Sequence, residues 1–275
     1  MNLIAASKPT ACDLSRKVEG FDQDGNRVCM AVAMERAVTL YVNKREIVTL
    51  MSIGDHPVFL ALGYLFNQGM VRHVEDVQSV HYDDDVQAIA VTTRSDIALA
   101  QKLGKVTITS GCGQGTVFGD MMELFDNAVL PQGQVVHTSW LLDLLKRINT
   151  MPSLYLETGA VHGCVLCQGA HPLVYMEDVG RHNAVDKIAG YMLKKGVSGT
   201  DKILYTTGRL TSEMVIKCVN MGIPVLVSRS GFTAMGVDLA RRVGLTLIGR
   251  AKGKRHVVLS GAERIVRDGV MQQGA

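Results

Sequence analysis

The chain has 275 residues, 47% of them hydrophobic, and a formal net charge of +3. This length and apolar content predict one large domain or two small domains with a buried core. The charge excess is too small to indicate nucleic-acid binding, and an aromatic content of 5% argues against stacking platforms for single-stranded nucleic acid.

The first residues of the chain and its cysteine content indicate the cellular compartment of the protein. Residues 1–10 lack the apolar core of a signal peptide, and no apolar run reaches the roughly 18 residues that a membrane helix needs. We therefore expect a cytoplasmic protein without a membrane segment. Its six cysteines should then be mostly thiols.

The first 105 residues predict a small α+β subdomain, residues 27–105, that follows a flexible polar arm, residues 1–26. Alternating apolar residues predict strands, Pro57 predicts the first position of a helix, and three aspartates at 83–85 predict the tip of a hairpin. The predicted elements are strands over 27–42 and 46–52, a helix over 57–68, strands over 74–81 and 86–92, and a helix over 97–103.

A glycine-rich loop with one cysteine follows the next predicted strand, residues 106–109. The loop reads SGCGQGT over residues 110–116 and places three glycines around Cys112. Glycines let a partner approach the backbone closely, and a buried structural cysteine would not need them. This pattern favours a functional thiol at Cys112 over an incidental loop cysteine.

A second group of residues suggests a zinc site as an alternative. Cys164 and Cys167 have Cys-x-x-Cys spacing, and His162 and His171 flank them, so the four could ligate zinc. The apolar residues between the cysteines favour a strand, which would send the two thiols to opposite faces. We therefore expect two core or edge cysteines and no tightly bound zinc.

The segment EDVGRHNAVDK, residues 177–187, contains a higher density of charged, amide and imidazole groups than the rest of the chain. It lies between an apolar strand and an apolar helical run. A polar strand-to-helix turn is a usual site position in α/β proteins, and a helix that begins near Gly180 would offer free N–H groups to an anion. The alternative is that Asp178 caps the helix and the other side chains form a solvated, paired face.

The last part of the chain alternates strands and helices, which predicts parallel strands with right-handed crossovers. Arg209 and Arg229 follow two of these strands, at the ends where ligands bind in open α/β sheets. The basic loop GRAKGKRH, residues 249–256, follows the third and is a candidate phosphate site. The predicted elements are helices over 140–148, 211–221 and 233–243 and strands over 203–205, 224–227, 245–248 and 257–259.

These motifs resemble the FdhD family, the formate dehydrogenase accessory sulfurtransferases. The segment 177–187 is similar to the family signature, and TGAVH at 158–162 and TGR at 207–209 are similar to shorter family motifs. The loop at Cys112 resembles the family's Cys-Gly-x-Cys-Gly pattern, except that Gly115 replaces the second cysteine. The resemblance covers most of the chain, from about residue 28 to residue 259.

The resemblance implies an α/β fold in which a small N-terminal α+β unit precedes a layered mixed-sheet domain, residues 106–275, like that of cytidine deaminases. It implies a homodimeric sulfurtransferase with a persulfide on Cys112. A cysteine desulfurase would supply the sulfur, and the molybdenum of bis-molybdopterin guanine dinucleotide would receive it before formate dehydrogenase takes up that cofactor. The residues implied to hold the cofactor are His162, Gly180, Arg181, His182, Asn183, Arg209, Arg250, Ala251, Lys252, Gly253, Lys254 and Arg255.

Two other functions are weighed against sulfur transfer. A non-catalytic chaperone would bind and deliver the molybdenum cofactor with Cys112 incidental, and the glycine at position 115 is compatible with that role. A zinc deaminase would need a His-x-Glu and a Pro-Cys-x-x-Cys motif. Here Cys164 stands where the glutamate after His162 is needed, and no proline precedes it, which disfavours deamination.

Overall fold

The structure, a computed structural model, describes residues 14–94, 122, 125–131 and 133–268. Its strands are β1 Ser15–Phe21, β2 Arg27–Ala33, β3 Arg36–Val42, β4 Arg45–Ser52, β5 Val77–Asp83, β6 Ala88–Thr93, β7 Val136–His137, β8 His162–Gln168, β9 His171–Asp178, β10 Ile203–Thr206, β11 Val225–Ser228, β12 Thr246–Lys252, β13 Arg255–Ser260 and β14 Ile265–Val266. Its helices are α1 Pro57–Asn67, α2 Thr138–Thr150, α3 Leu154–Thr158, α4 Arg181–Lys195, α5 Ser212–Asn220 and α6 Ala234–Arg242. Within the described ranges, no helix has the length and apolar character needed to cross a membrane.

A two-stranded ribbon begins the described chain. β1 pairs antiparallel with β2 along its whole length, and the hydroxyl of Ser15 at its base donates to Glu157 at 2.7 Å. The flexible arm predicted over residues 1–26 is therefore wrong for residues 15–21. The reason is backbone pairing: a mostly polar, exposed stretch is ordered because the more apolar β2 offers it a complete hydrogen-bonding edge.

The N-terminal subdomain is built on a four-stranded sheet with the order β4-β3-β6-β5. The predicted hairpins are confirmed, and Asn43 and Lys44 form the first turn with φ angles of 49° and 66°. α1 begins at Pro57 as predicted and covers one face of the sheet. Leu40, Ile89 and the α1 residue Leu65 are buried there. This sheet therefore has its own core.

The larger part of the fold is a six-stranded sheet with the order β13-β12-β11-β10-β8-β9. β10, β11 and β12 are parallel, as the strand–helix alternation predicts, whereas β8 runs antiparallel to both β10 and β9. α4, α5 and α6 pack on one face, and α2 covers the other with Leu141, Leu144 and Leu145. The α/β class with a mixed sheet is confirmed, and the likeness to cytidine deaminases stays a prediction.

The basic segment 249–256 is a β-hairpin, not the loop that the sequence predicts. β12 continues through Lys252, the chain turns at Gly253 with a φ of 55°, and β13 begins at Arg255. Lys252 lies directly opposite Arg255 in the antiparallel ladder. The prediction failed because glycines and charges are typical of loops, whereas pairing between the two strands extends both beyond their apolar runs.

α1 and α4 connect the two sheets through an unusually close crossing. A Cβ added to Gly63 of α1 would lie 1.7 Å from the carbonyl oxygen of Asp186, and one added to Gly190 of α4 would lie 1.9 Å from that of Phe59. Only glycine permits this approach. The N-terminal subdomain is thereby held against α4. The predicted boundary at residue 105 lies outside the described residues, so the division into domains stays a prediction.

Candidate functional site

One edge of the six-stranded sheet collects most of the residues singled out from the sequence. The carboxyl ends of β9, β10 and β11 meet the amino end of β8 there, because β8 runs against these three strands. The register places His162 opposite Asp178 and Cys164 opposite Thr206. The start of α4 and the loop after β10 therefore open at the same edge.

His162 is half-buried at this edge, at the first position of β8. Its Nδ1 lies 3.2 Å from the hydroxyl of Thr207, which also accepts the N–H of the residue after the histidine at 3.1 Å. Burial lowers the pKa of His162, and so do the nearby positive charges of Arg181 and Arg209, and that of His182 when it is protonated. The imidazole is therefore neutral at pH 7 and lies in cationic surroundings that suit an anion.

Arg181, the first residue of α4, is buried against Gly208, with 8% of its surface exposed. A Cβ at Gly208 would lie 2.9 Å from the Cβ of Arg181, so a side chain there would displace the arginine. The hydroxyl of Thr206 accepts the Gly208 N–H at 3.1 Å, and the hydroxyl of Ser228 donates to the Gly208 carbonyl at 2.6 Å. The TGR motif at 207–209 thus positions Arg181.

Three more arginines lie near the carboxyl ends of neighbouring strands: Arg209 follows β10, Arg229 follows β11, and Arg250 lies within β12. The guanidinium carbon of Arg229, after β11, lies 5.4 Å from the ring centre of Tyr155, a cation–π contact. Arg209 and Arg250 are exposed, and the backbone N–H of Arg250 donates to the Ser230 carbonyl at 2.7 Å. Positive charge therefore gathers along the carboxyl ends of β10, β11 and β12.

Lys187 and its partners form a buried network behind the start of α4. The Lys187 ammonium contacts Asp55, Asp178 at 2.6 Å and the Glu177 carbonyl at 2.8 Å. Burial would lower the pKa of Lys187, but the two carboxylates outweigh it and raise this pKa. Asp178 also accepts the hydroxyl of Ser52 at 2.6 Å. The network ties the end of β9 to the loop between β4 and α1.

Asn183 belongs to the same network. Its side-chain amide donates to the Met51 carbonyl at 2.7 Å and to Asp178 at 3.1 Å. Asp178 also accepts the backbone N–H of Gly180 at 3.3 Å. These contacts hold the helix start in place, but the N-cap residue is Gly180 and no described side chain caps the helix, so the expectation that Asp178 is the cap is wrong. Whether Gly180 and Asn183 also touch a cofactor stays a prediction.

Two pairs of polar side chains connect α4 to α5. Asp186 accepts two hydrogen bonds from the Lys217 ammonium, each 2.8 Å, and one from Asn67 at 2.7 Å. One turn earlier, Nε2 of His182 lies 3.0 Å from Oε2 of Glu213. Burial lowers the pKa of His182 and outweighs the hydrogen bond with Glu213, which raises it. His182 is therefore neutral at pH 7 despite its carboxylate neighbour.

Glu177, the first residue of the segment 177–187, fixes α3. Its carboxylate accepts the backbone N–H groups of Leu154 at 2.8 Å and Tyr155 at 2.7 Å, and the hydroxyl of Tyr175 at 3.0 Å. Burial raises the pKa of Glu177 against the opposing effect of these hydrogen bonds. The hydrogen bond from Tyr155 to Glu177 also helps to position the Tyr155 ring, which Arg229 contacts.

The residues of the alternative zinc site are not brought together. Cys164 and Cys167 are buried on opposite faces of β8, as predicted, and His162 and His171 lie at opposite ends of the β8–β9 hairpin. Burial raises the pKa of the Cys164 thiol to about 12 and raises that of Cys167 as well. Among the described residues, no group of three or more histidines, cysteines and carboxylates has metal-binding geometry.

The partners of the segment 177–187 were not among the residues predicted from the sequence. Glu213 and Lys217 have opposite charges four residues apart on a helix, a pattern that could have indicated a paired face. Ser52 and Asp55 carry no comparable signal, because they lie far away in sequence on another element. Cys112, the predicted sulfur-carrying residue, lies outside the described residues.

A match to a known protein family shows which family this chain belongs to. The model of the FdhD/NarQ family matches residues 33–266. This chain belongs to the FdhD/NarQ family. The resemblance inferred from the segment 177–187 is therefore confirmed, and the match also spans the N-terminal subdomain and the basic hairpin.

Individual FdhD/NarQ relatives agree with this assignment. A sulfur carrier protein FdhD from Listeria innocua is 31% identical over 244 residues, which cover 86% of this chain and 91% of the relative. One from Bacillus subtilis is 28% identical over 232 residues, with 84% and 88% covered. A crystal structure assigned to a formate dehydrogenase accessory protein of Desulfotalea psychrophila has a TM-score of 0.74 at 30% identity, covering 92% of this chain and 98% of that one.

Proposed function

We propose that this chain is a sulfurtransferase that serves formate dehydrogenase. Its FdhD relatives are named sulfur carrier proteins, and the similar crystal structure is assigned to a formate dehydrogenase accessory protein. Within the described residues, the proposal rests on the sheet edge where Arg181 and Arg209 lie near His162, here called the cationic edge. The positive charges of these two arginines lower the pKa of His162. Such surroundings bind anions and favour a thiolate over a thiol.

Cys112 carries the sulfur as a persulfide in this scheme. A thiolate attacks the outer sulfur of the persulfide on a cysteine desulfurase, a new S–S bond forms, and the donor cysteine leaves with the electron pair of the broken bond. No oxidant is consumed. In the second transfer the persulfide S–S bond would break and Cys112 would leave as a thiolate. The sulfur would go to the molybdenum of bis-molybdopterin guanine dinucleotide, a bound substrate that would supply the two electrons of the sulfide ligand and that formate dehydrogenase takes up. The protein acts in the cytoplasm as a homodimer and holds no tightly bound zinc.

The cofactor's phosphates are held by positive charge in two places. The first is the start of α4, where Gly180, Arg181, His182 and Asn183 would contact the phosphates together with His162 and Arg209. The second is the basic hairpin, residues 250–255. Its like-charged residues Lys252 and Arg255 lie opposite each other, an arrangement that destabilises a sheet on its own and that an anion would relieve.

The sulfur-loading step is tested by mass mapping after incubation with a cysteine desulfurase and cysteine. We expect the additional sulfur on Cys112 and its loss in Cys112→Ser. Cys29 is exposed on β2 and provides a matched control, so Cys29→Ser should load normally. Sulfur found first on Cys164 or Cys167 would contradict the assignment.

The chaperone alternative is favoured by one observation, the glycine at position 115 in place of a second loop cysteine. The Cys112→Ser variant distinguishes sulfur transfer from the chaperone function. If this variant binds the molybdenum cofactor but no longer supports its sulfuration, sulfur transfer stands. If it supports an active formate dehydrogenase as well as the parent does, the chain is a chaperone.

Cofactor binding by the hairpin is tested with Lys252→Ala combined with Arg255→Ala. A charge-assisted hydrogen bond contributes about 1.5–3 kcal/mol, so losing two should weaken binding of a guanine nucleotide diphosphate about a hundredfold or more. Added salt should weaken binding to the parent protein as well. Calorimetric titration at two salt concentrations measures both effects.

The control for the hairpin variant is Lys146→Ala combined with Arg147→Ala, which removes two exposed cations from α2. Both double variants should melt close to the parent, because exposed charges contribute within about 0.5 kcal/mol to stability. Equal nucleotide affinity in the two double variants would make the hairpin an ordinary solvated surface.

A further inference from the structure

Within the described ranges, no strand lies beside the outer edge of β1. β1 and β2 form a sheet of only two strands. An isolated two-stranded hairpin is marginally stable in water, and three or more strands are usually needed for stability. An unpaired edge is also a template on which another strand can add. The ribbon is therefore suited to receive a further strand along β1.

The ladder between β1 and β2 determines which backbone groups remain for that strand. It has hydrogen bonds to β2 at the Leu14 carbonyl and the Asp22 N–H, and the register between these two residues is unbroken. In an antiparallel ladder every second residue bonds the neighbouring strand. Val18 therefore bonds β2, whereas Lys17 and Glu19 direct their N–H and carbonyl groups to the free edge.

The side chains at this edge are complementary to a second copy of themselves. Lys17 and Glu19 are exposed, have opposite charges and flank Val18. A twofold axis at Val18 places Lys17 of each copy opposite Glu19 of the other copy. Opposite charges that face each other across an antiparallel ladder are stabilising, and like charges are destabilising. A twofold axis is also the commonest symmetry of homo-oligomers.

The same two charges disfavour the neighbouring registers. Because only every second residue bonds at the free edge, one copy can slide along the other only in steps of two residues. A step in one direction places Lys17 opposite Lys17 of the other copy. A step in the other direction places Glu19 opposite Glu19. Of these three registers, only the one centred on Val18 pairs opposite charges.

The exposed apolar side chains of the ribbon agree with this register. Val18 and Met30 lie opposite each other in the ladder and are 40% and 62% exposed. In the register centred on Val18, the two Val18 residues form a non-hydrogen-bonded pair, the type whose side chains are closest. Met30 and Val18 of one copy then continue into Val18 and Met30 of the other. Pairing therefore covers part of an apolar surface that a single chain exposes.

We infer that the partner of this edge is a second copy of the chain, and that the two β1 strands pair antiparallel around Val18 into a four-stranded sheet. Lys17 and Glu19 of the two copies exchange backbone hydrogen bonds, and their side chains form ion pairs. The inference rests on the proposed function for the homodimer and names the surface and the register through which that dimer forms.

The first test is sedimentation of the full-length protein over a range of concentrations. Lys17→Glu and Glu19→Lys each convert both pairs of opposite charges into like pairs, so each variant should dimerise about tenfold or more weakly than the parent. Combining the two substitutions in one chain restores opposite charges and should restore dimerisation. An equimolar mixture of the two single variants should form a heterodimer for the same reason.

Arg27→Glu is the matched control for the charge variants. Arg27 is exposed on β2 of the same ribbon, and β1 separates it from the free edge. Its replacement should leave dimerisation as in the parent. Thermal unfolding of all variants should match the parent within the small effect of an exposed charge.

The second test is disulfide cross-linking by oxidised glutathione in a Cys29→Ser background, which removes the exposed thiol of the ribbon. Val18→Cys should link two copies, because residues of a non-hydrogen-bonded pair have Cα atoms about 4.5 Å apart, within the range that a disulfide spans. Gly20→Cys should not, because its counterpart lies roughly 13 Å away along the strand.

Three outcomes would overturn the inference. Parent-like dimerisation in both single charge variants would assign the dimer to another surface. Weakened single variants that recover neither in the combined variant nor in the mixture would show that the loss does not come from charge pairing. Cross-linking of Gly20→Cys instead of Val18→Cys would show another register. A parent that is monomeric at every concentration would instead overturn the proposed homodimer, and this inference with it.

Discussion

Replacing Lys187 with methionine is expected to lower the free energy of unfolding by about 3–5 kcal/mol, the usual result of removing one partner from a buried ion pair. Lys187 is completely buried, and its ammonium is shared between Asp55 and Asp178. Methionine fills a similar volume but leaves two buried carboxylates without a counter-charge. Urea unfolding of the parent and Lys187→Met at pH 7 measures the difference.

The matched control is Lys195→Met in the last turn of the same helix. Lys195 is exposed, so its replacement should change stability by no more than about 0.5 kcal/mol. Lowering the pH should recover part of the loss in Lys187→Met, because protonation removes the charge of the stranded carboxylates. A loss below about 1 kcal/mol at pH 7 would mean that water reaches these carboxylates and that the network is not a closed one.

Replacing Gly63 with alanine is expected to destabilise the protein by about 3 kcal/mol or more, at the upper end of what overpacking costs. The new Cβ would lie 1.7 Å from the backbone oxygen of Asp186, where no side-chain rotation can relieve the clash. In an ordinary helix the same change stabilises by about 1 kcal/mol, so the sign of the effect tests the helix crossing. Thermal unfolding measures it.

Gly190→Ala addresses the same crossing from the other helix, with a Cβ 1.9 Å from the Phe59 carbonyl oxygen, and should have a similar effect. Gly20→Ala in β1 is the control, since no atom lies within 4 Å of its added Cβ. Separation of α1 from α4 would also break the hydrogen bond that Asn67 of α1 donates to Asp186 of α4. A stabilised Gly63→Ala protein would contradict the observed crossing.

Local pattern determined much of the framework around the site. Apolar runs interrupted by polar turns located β10, β11, α5 and α6 within a few residues of their observed bounds. The alternation of these elements also determined that the strands are parallel, since a strand–helix–strand unit returns its chain in the same direction. In the same way, the period of two residues in a strand separated Cys164 from Cys167.

The partners of the segment 177–187 were decided only by the tertiary structure. Periodicity shows which side chains share a face of a helix, but not what covers that face. Lys187 and Asp186 have the pattern of a solvated, paired surface, yet both are buried, because α1 and the loop before it cover one side and α5 covers another. Asp178 meets Ser52 across 126 residues of sequence.

Pairing with a neighbouring strand likewise determined the structure of the two stretches whose local sequence pattern predicted a flexible segment or a loop. β1 and the hairpin at 249–256 contain glycines and charges that are typical of flexible segments. Each is ordered by the backbone hydrogen bonds that a neighbouring strand supplies, and these bonds do not depend on side-chain type. A sequence pattern reports the preference of the side chains, whereas the partner strand becomes available only when the chain has folded.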